Sequence, residues 1–281
     1  MKENSELEKM ASQIRRDIVR MVYNCQSGHP GGSLGCTDYF TALYFSVMRY
    51  NKPFNMEAHN EDVFYLSNGH ISPVFYSTLA RSGFFPVNEL NTFRKLNSRL
   101  QGHPTTHEGL PGIRIASGSL GQGISVANGT ALAKKMNGDK NLVYVLCGDG
   151  ELDEGQNWEA IMFAAHKKLD NLILTVDWNG QQIDGSTDNV MSLGDLPQKF
   201  KAFGWETIRV EKGNNIASII KGLKKAGSTV GNGKPKVLLM RTQMGYGVDF
   251  MVGSHKWHGI PPNKEQLATA LAQLPETAGD F

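Results

Sequence analysis

Apolar residues recur at three- and four-residue spacing from the start of the chain: Leu7, Met10, Ile14, Ile18 and the pair Met21–Val22. That period gathers them on one helix face. The run SGHPGGSLG (27–35) interrupts it, and TDYFTALYFSVMRY resumes as a second, apolar helix. A short continuous apolar run, DVFYLS (62–67), reads as a buried strand ending at Asn68-Gly69-His70, and ISPVFYSTLARSGFF reads as the helix after it. A long glycine- and proline-bearing stretch, RLQGHPTTHEGLPGIRIASGSLGQG, then leads into ISVANGTALAKKM, a helix whose small residues suit tight packing against a neighbour.

Three β/α repeats follow. NLVYVLCGDG, NLILTVDWNG, WETIRVE and KPKVLLMRTQ read as strands, and NWEAIMFAAHKKL, LPQKFKAFGW and NIASIIKGLKKA as the helices between them. Continuous apolar strands alternating with helices predict an α/β fold, a parallel sheet with helices on both faces. Ligands of such sheets bind outside the carboxyl ends of the strands. The glycine turns at 69, 148–150, 180 and 245–247 all follow strands and so fall on that edge. No linker or internal repeat divides the chain, so one domain is expected over residues 1–264, with a short mobile tail at 265–281.

Charge narrows the partners. Lys and Arg number 29 against 27 Asp and Glu, a net charge of +2, which leaves no basic excess to neutralise a nucleic-acid backbone. No stretch approaches the roughly 18–20 apolar residues that span a bilayer, and the N-terminal MKENSELEKMASQIRRDIVR has no apolar targeting core. A cytoplasmic protein, bound to neither nucleic acid nor membrane, is expected. Cys25, Cys36 and Cys147 are odd in number and lack CxxC spacing, which argues against a disulfide framework or a thiolate metal site and fits a reducing compartment.

Two turns carry the strongest chemistry. CGDGELDEG and, thirty residues on from Asp149, DWNGQQIDG each end a predicted strand. Asp149 offers a carboxylate and Asn179 a carbonyl oxygen, hard donors suited to Mg²⁺ or Ca²⁺. Mg²⁺ is usually held by one or two protein side chains plus substrate phosphates, so the pair predicts a metal bridging protein and diphosphate. Gly148 and Gly150 would let backbone N–H groups face that diphosphate, and the helix starting near Glu154 would add its positive end. The competing explanation is that GDG and NG are ordinary turns, which Asp, Asn and Gly favour anyway. GSLGQG (118–123) resembles a dinucleotide fingerprint in the wrong order, after a poor strand, which disfavours a nicotinamide site; an anion cradle at a helix N-terminus remains open. Five of eight histidines sit in glycine- or proline-containing turns: His29, His70, His103, His255 and His258. Singly, such histidines are surface residues or hydrogen-bond anchors. Converging, they would offer proton donors and acceptors near neutral pH. Zinc spacing is absent.

Taken together, SGHPGGSLG, LSNGH, QGHP, GSLGQG, GDGELDEGQ…WEA, WNGQQIDG and KWHG resemble, in order and over nearly the whole chain, the N-terminal diphosphate-binding domain of transketolases. The resemblance implies thiamine diphosphate and Mg²⁺ as cofactors, with Ca²⁺ or Mn²⁺ able to substitute. It implies Asp149, Asn179 and the Gln181 carbonyl as metal ligands. His70, Gly118, Ser119, Leu120, Gly148, Asp149, Gly150, Glu151, Asn179, Ile183 and His258 match cofactor-binding positions. His29, His103 and His258 match histidines around the reacting carbon, and Glu154 the acid at a subunit interface. It further implies transfer of a two-carbon ketol unit between sugars, by default sugar phosphates of the pentose phosphate pathway, although some relatives act on sulfonated or otherwise modified ketoses. The pyrimidine-binding and C-terminal domains of a full transketolase are not in this sequence, which implies a partner chain carrying them and an α₂β₂ assembly. Two rivals are the half of an acyl-transferring thiamine-diphosphate dehydrogenase and a regulatory subunit without turnover.

Overall fold

The computed structural model describes residues 3–281. Helix α1 (Asn4–Cys25) buries Leu7, Ala11, Ile14, Ile18 and Met21, the face its periodicity predicts. Helix α2 (Pro30–Ala42), continued by a π-helical segment at Leu43–Val47, is buried along its whole length. Strand β1 (Val63–Leu66) and helix α3 (Ser72–Arg81) follow. After the long loop come α4 (Gly123–Met136), β2 (Val143–Gly148), α5 (Gly155–His166) and β3 (Leu172–Asp177). A small antiparallel hairpin, β4 (Gln181–Gln182) and β5 (Gly185–Ser186), leads to the single turn α6 (Thr187–Val190). The chain then runs through α7 (Leu196–Ala202), β6 (Glu206–Val210), α8 (Ile216–Ser228), β7 (Lys236–Met240) and α9 (Lys264–Gln273).

The five long strands form one parallel sheet in the order β1-β2-β3-β7-β6. Successive strand residues serve opposite faces: Val143, Val145 and Cys147 pack with α4, α5 and α7, while Tyr144 and Leu146 pack with α1, α2 and α3. Connection geometry explains which helix goes where. A parallel crossover is right-handed, so α5 and α7, which carry the chain toward β6, share one face. The step from β6 back to β7 reverses direction, and α8 lies on the opposite face with α1 and α2. The reversal falls between β3 and β7. Because Gly148 pairs with Asp177 and Asp177 with Met240, those strands end level and their following residues meet at one edge.

Two elements differ from expectation. Helix α2 starts within the run read as a breaker, with glycines at 31, 32 and 35. Packing compensates for their low helix propensity: a Cβ on Gly31 would lie 2.6 Å from Met244 Cγ and 2.8 Å from the Trp257 carbonyl, and one on Gly35 2.9 Å from the Gln243 carbonyl. Residues 265–281, expected as a mobile tail, contain α9 and a docked terminus. Asn263 and Gln266 cap α9 reciprocally. Beyond it, the Thr277 and Ala278 N–H groups donate to Gln13 Oε1, both at 2.9 Å, and Arg16 grips Asp280 through two bonds of 2.8 and 2.6 Å. No helix of the described residues is long and apolar enough to cross a membrane.

Candidate functional site

A cleft of about 300 Å³ opens at the carboxyl ends of the strands. The turns after β1, β2, β3 and β7 reach it, joined by the N-terminus of α2 and the loops around Gly118 and His258. Its lining includes His29, Asn68, His70, Gly118, Leu120, Gly148, Asp149, Gly150, Asn179, Gln181, Ile183 and His258, with no Lys or Arg.

One wall is acidic. Asp149 is 1% exposed; its Oδ1 accepts from Gly150 N at 2.9 Å and its Oδ2 from Gly180 N at 2.6 Å. Burial, and then the charge of Asp177, push its carboxyl up to about 7. Asp177 is itself buried and raised by burial; it accepts from Thr242 Oγ1 and from Asn179 Nδ2, the latter at 2.8 Å. Asn179 Oδ1 accepts from Gln181 N at 2.8 Å, which fixes the side chain and leaves one oxygen lone pair. Two crowded carboxylates without a lining cation fit a divalent metal, since a bound cation reverses the repulsion that raises them. Asp149, Asn179 Oδ1 and the Gln181 carbonyl offer hard oxygen donors of the kind that suit Mg²⁺ or Ca²⁺; among the described residues no group of three His, Cys, Asp or Glu could hold a metal. Asn68 Oδ1, buried without a protein donor, adds an acceptor to this wall.

The facing wall is imidazole. The His29 ring lies 5.0 Å from His70, 5.5 Å from His258 and 6.3 Å from His103, and His70 lies 5.0 Å from His258. Burial, reinforced by His258, Arg94 and His103, lowers His29 to about 4. Burial is also the largest cause of the lowering of His70, His103 and His258. Four neutral imidazoles at neutral pH provide both N–H donors and basic nitrogens. The Nδ1 atoms of His29 and His258 are buried without protein partners, leaving hydrogen-bonding capacity for a polar molecule. Gly118 (φ +128) lets the loop pass beneath His103, where a Cβ would come within 2.6 Å of its ring.

Geometry modifies several expectations. The Gly148 N–H donates to Glu151 Oε2 at 3.1 Å and the Gly150 N–H to Asp149, so both are engaged within the protein instead of facing the cleft. Glu151 reaches the cleft wall, but its carboxylate is bound by the protein's own donors. Glu154 is exposed and occupies the N-cap position of α5 without a side-chain capping bond, after a 3₁₀ turn at Gly150–Asp153 that separates that helix from the GDG turn. Ser119 is exposed and accepts from Gln122 Nε2 at 3.2 Å. Leu120 and Ile183 supply apolar surface, Ile183 being 61% exposed. Asn68, Asp177 and Met244 also line the cleft and carry no sequence signal of their own; the turns after β1 and β7 and the end of β3 bring them together.

The family profile described as transketolase, thiamine diphosphate binding domain, matches residues 7–276. The chain is 40% identical over 272 residues to one of the named subunits of apulose-4-phosphate transketolase in Actinobacillus succinogenes, covering 96% of each chain. It is 37% identical over 269 residues to 6-deoxy-6-sulfo-D-fructose transketolase subunit SqwG of a Clostridium species, again covering 96% of each. Among solved structures, transketolase from Leishmania mexicana superimposes with a TM-score of 0.89 at 33% identity; the match covers 98% of this chain and 42% of that one.

Proposed function

The chain belongs to the transketolase family, and from that premise we propose that it is the thiamine-diphosphate- and Mg²⁺-binding subunit of a two-chain enzyme that moves a two-carbon ketol unit from a ketose to an aldose. The observation that carries this is the meeting, across one cleft, of a buried carboxylate pair and the imidazoles of His29, His70 and His258, with the exposed His103 6.3 Å beyond His29.

Asp149, Asn179 and the Gln181 carbonyl would hold the metal, and through it the diphosphate. Leu120 and Ile183 would flank the cofactor's rings, and Gly118, Ser119 and His70 would lie along its phosphates. When bound, thiamine diphosphate supplies the nucleophilic carbon of ketol transfer. His29 and His103 then hydrogen-bond the hydroxyls of the transferred fragment, and His258 accepts or returns a proton at the reacting centre. Low basicity suits this work, because a neutral imidazole can give and take protons without a fixed charge beside the sugar.

The substrate class is taken from the names of relatives. Two relatives are named for a sugar phosphate and a sulfonated sugar, each ending in an anion. No Lys or Arg lines this cleft, so the far anionic end would be met by a partner subunit, in an assembly we take to be α₂β₂. Glu154, exposed beside the loop at Gly121, is placed to face that partner. Three free cysteines support a cytoplasmic setting. Assays on the assembled enzyme with thiamine diphosphate and Mg²⁺ distinguish the possibilities. Transfer from a phosphorylated or sulfonated ketose to an aldose is expected. Reduction of a lipoyl or ferricyanide acceptor without ketol transfer would instead make it an acyl-transferring dehydrogenase subunit.

A further inference from the structure

Glu151 lies between the loops that shape the cleft, yet its own carboxylate is turned into the protein. Its Oε1 accepts from Ser67 Oγ, at the end of β1, and from Gly121 N, in the 118–123 loop, at 2.9 Å. Its Oε2 accepts from Gly148 N, at the end of β2, at 3.1 Å. Ser67 Oγ accepts in turn from Gly123 N at 3.1 Å, which joins the first residue of α4 to the same group. The Glu151 main-chain carbonyl receives Asn157 Nδ2 at 2.6 Å and Glu154 N at 3.1 Å, anchoring the start of α5. One residue, 3% exposed, therefore ties together β1, β2, the glycine loop and two helix N-termini. The fit is close: a Cβ on Gly123 would sit 2.4 Å from Ser67 Cβ, and one on Gly69 2.7 Å from Gly118 N.

A buried carboxylate is costly unless it is hydrogen-bonded, and all three donors to this one come from the edge proposed for the cofactor. We propose that Glu151 is a positioning residue: it sets the spacing between the Gly118–Leu120 loop and the GDG turn that the cofactor must bridge, without touching the cofactor itself. This deepens the proposed function and rests on that cofactor assignment. A carboxylate suits the role because it only accepts, and all three partners of its side chain donate. A glutamine would offer one accepting oxygen to Ser67 and Gly121 but turn an NH₂ toward the Gly148 N–H, setting donor against donor.

The test uses the full chain in three variants, Glu151→Gln, Glu151→Ala and Ser67→Ala, with two readouts. The first, without any ligand, is amide hydrogen exchange at Gly121 and Gly148 compared with the core strand amides of Val145 and Leu174. Glu151→Ala should speed exchange at both glycines by at least about tenfold, since each loses a hydrogen bond to a charged group. Glu151→Gln should release mainly Gly148, Ser67→Ala should act more weakly and mainly at the 118–123 loop, and the core amides should hold. The second readout is the dissociation constant of thiamine diphosphate with Mg²⁺, expected to rise about tenfold in Glu151→Ala and less in Glu151→Gln. Unchanged glycine exchange would overturn the bracket. So would uniform loss of protection in all three variants, which would mark Glu151 as a fold residue only. Faster glycine exchange with unchanged cofactor affinity would overturn the positioning role. A wild-type assembly that binds no thiamine diphosphate would instead remove the cofactor assignment, with the exchange result still judging the bracket.

Discussion

At the scale of single residues, the site separates into groups that carry charge and groups that avoid it. Asp149 belongs to the first. Its spacing from Asn179 is readable in the sequence because both residues close apolar strand runs, whereas Asp177 is hidden inside the same DWNG turn and acts through the charge it places beside Asp149 and the bond it accepts from Asn179 Nδ2. Asp149→Asn keeps the shape and removes the charge. It should weaken Mg²⁺-dependent binding of thiamine diphosphate by at least about tenfold; unchanged affinity in a titration would reject the metal assignment. His103 belongs to the second group. His103→Ala should cut ketol transfer by about a hundredfold with little change in cofactor affinity, and a collapse of cofactor binding would reject that role. The imidazole wall also has a pH signature. Burial, and then the charges of His258, Arg94 and His103, hold His29 at about 4 in the folded chain, below the ordinary 6.5, with His70 packed beside it. The unfolded chain therefore binds the proton first. The contribution of His29 to stability should be level above pH 6.5 and fall as pH drops from 6.5 toward 4, opposite in sign to that of Asp149, whose carboxyl is raised to about 7. His29→Gln should flatten that fall in urea titrations, and an unchanged slope would show that His29 is not its source.

At the scale of elements, the strands and most helices were legible because their apolar runs have clear periods. Elements defined by close approach or by docking were not. Helix α2 reads as broken because its glycines oppose helix propensity, and the close approach of Ile71, Gln243, Met244 and the Trp257 carbonyl explains them. Gly31→Ala should cost about 1–3 kcal/mol by overpacking against Met244 and that carbonyl, measurable as a lowered urea midpoint. Helix α9 had its capping box, Asn263 and Gln266, in plain sight, but nothing local announced the contacts that dock the residues beyond it. Arg16 holds Asp280 down at about 2, below the ordinary 3.8, so this contact stabilises the fold above pH 3.8 and is lost as pH falls toward 2. Asp280→Asn should lower stability at pH 7 by about 1–2 kcal/mol, discounted for its partial exposure. The deficit should close in acid; a deficit independent of pH would show that shape, not charge, sets the dock.

At the scale of the molecule, sheet topology places the site. The reversal between β3 and β7 opens the carboxyl edge where the GDG turn, the WNG turn and the histidine loops converge, as the rule for parallel sheets anticipates. The cleft nonetheless leaves Ile183 largely exposed and contains no cation for an anionic substrate. Both features support a site completed by another chain. The most direct measurement is native mass spectrometry of the chain purified gently from its own cells with thiamine diphosphate and Mg²⁺ present. An assembly containing a second, different chain is expected, with cofactor bound to the joint species and lost in Asp149→Asn. The chain alone and without cofactor under those conditions would contradict it.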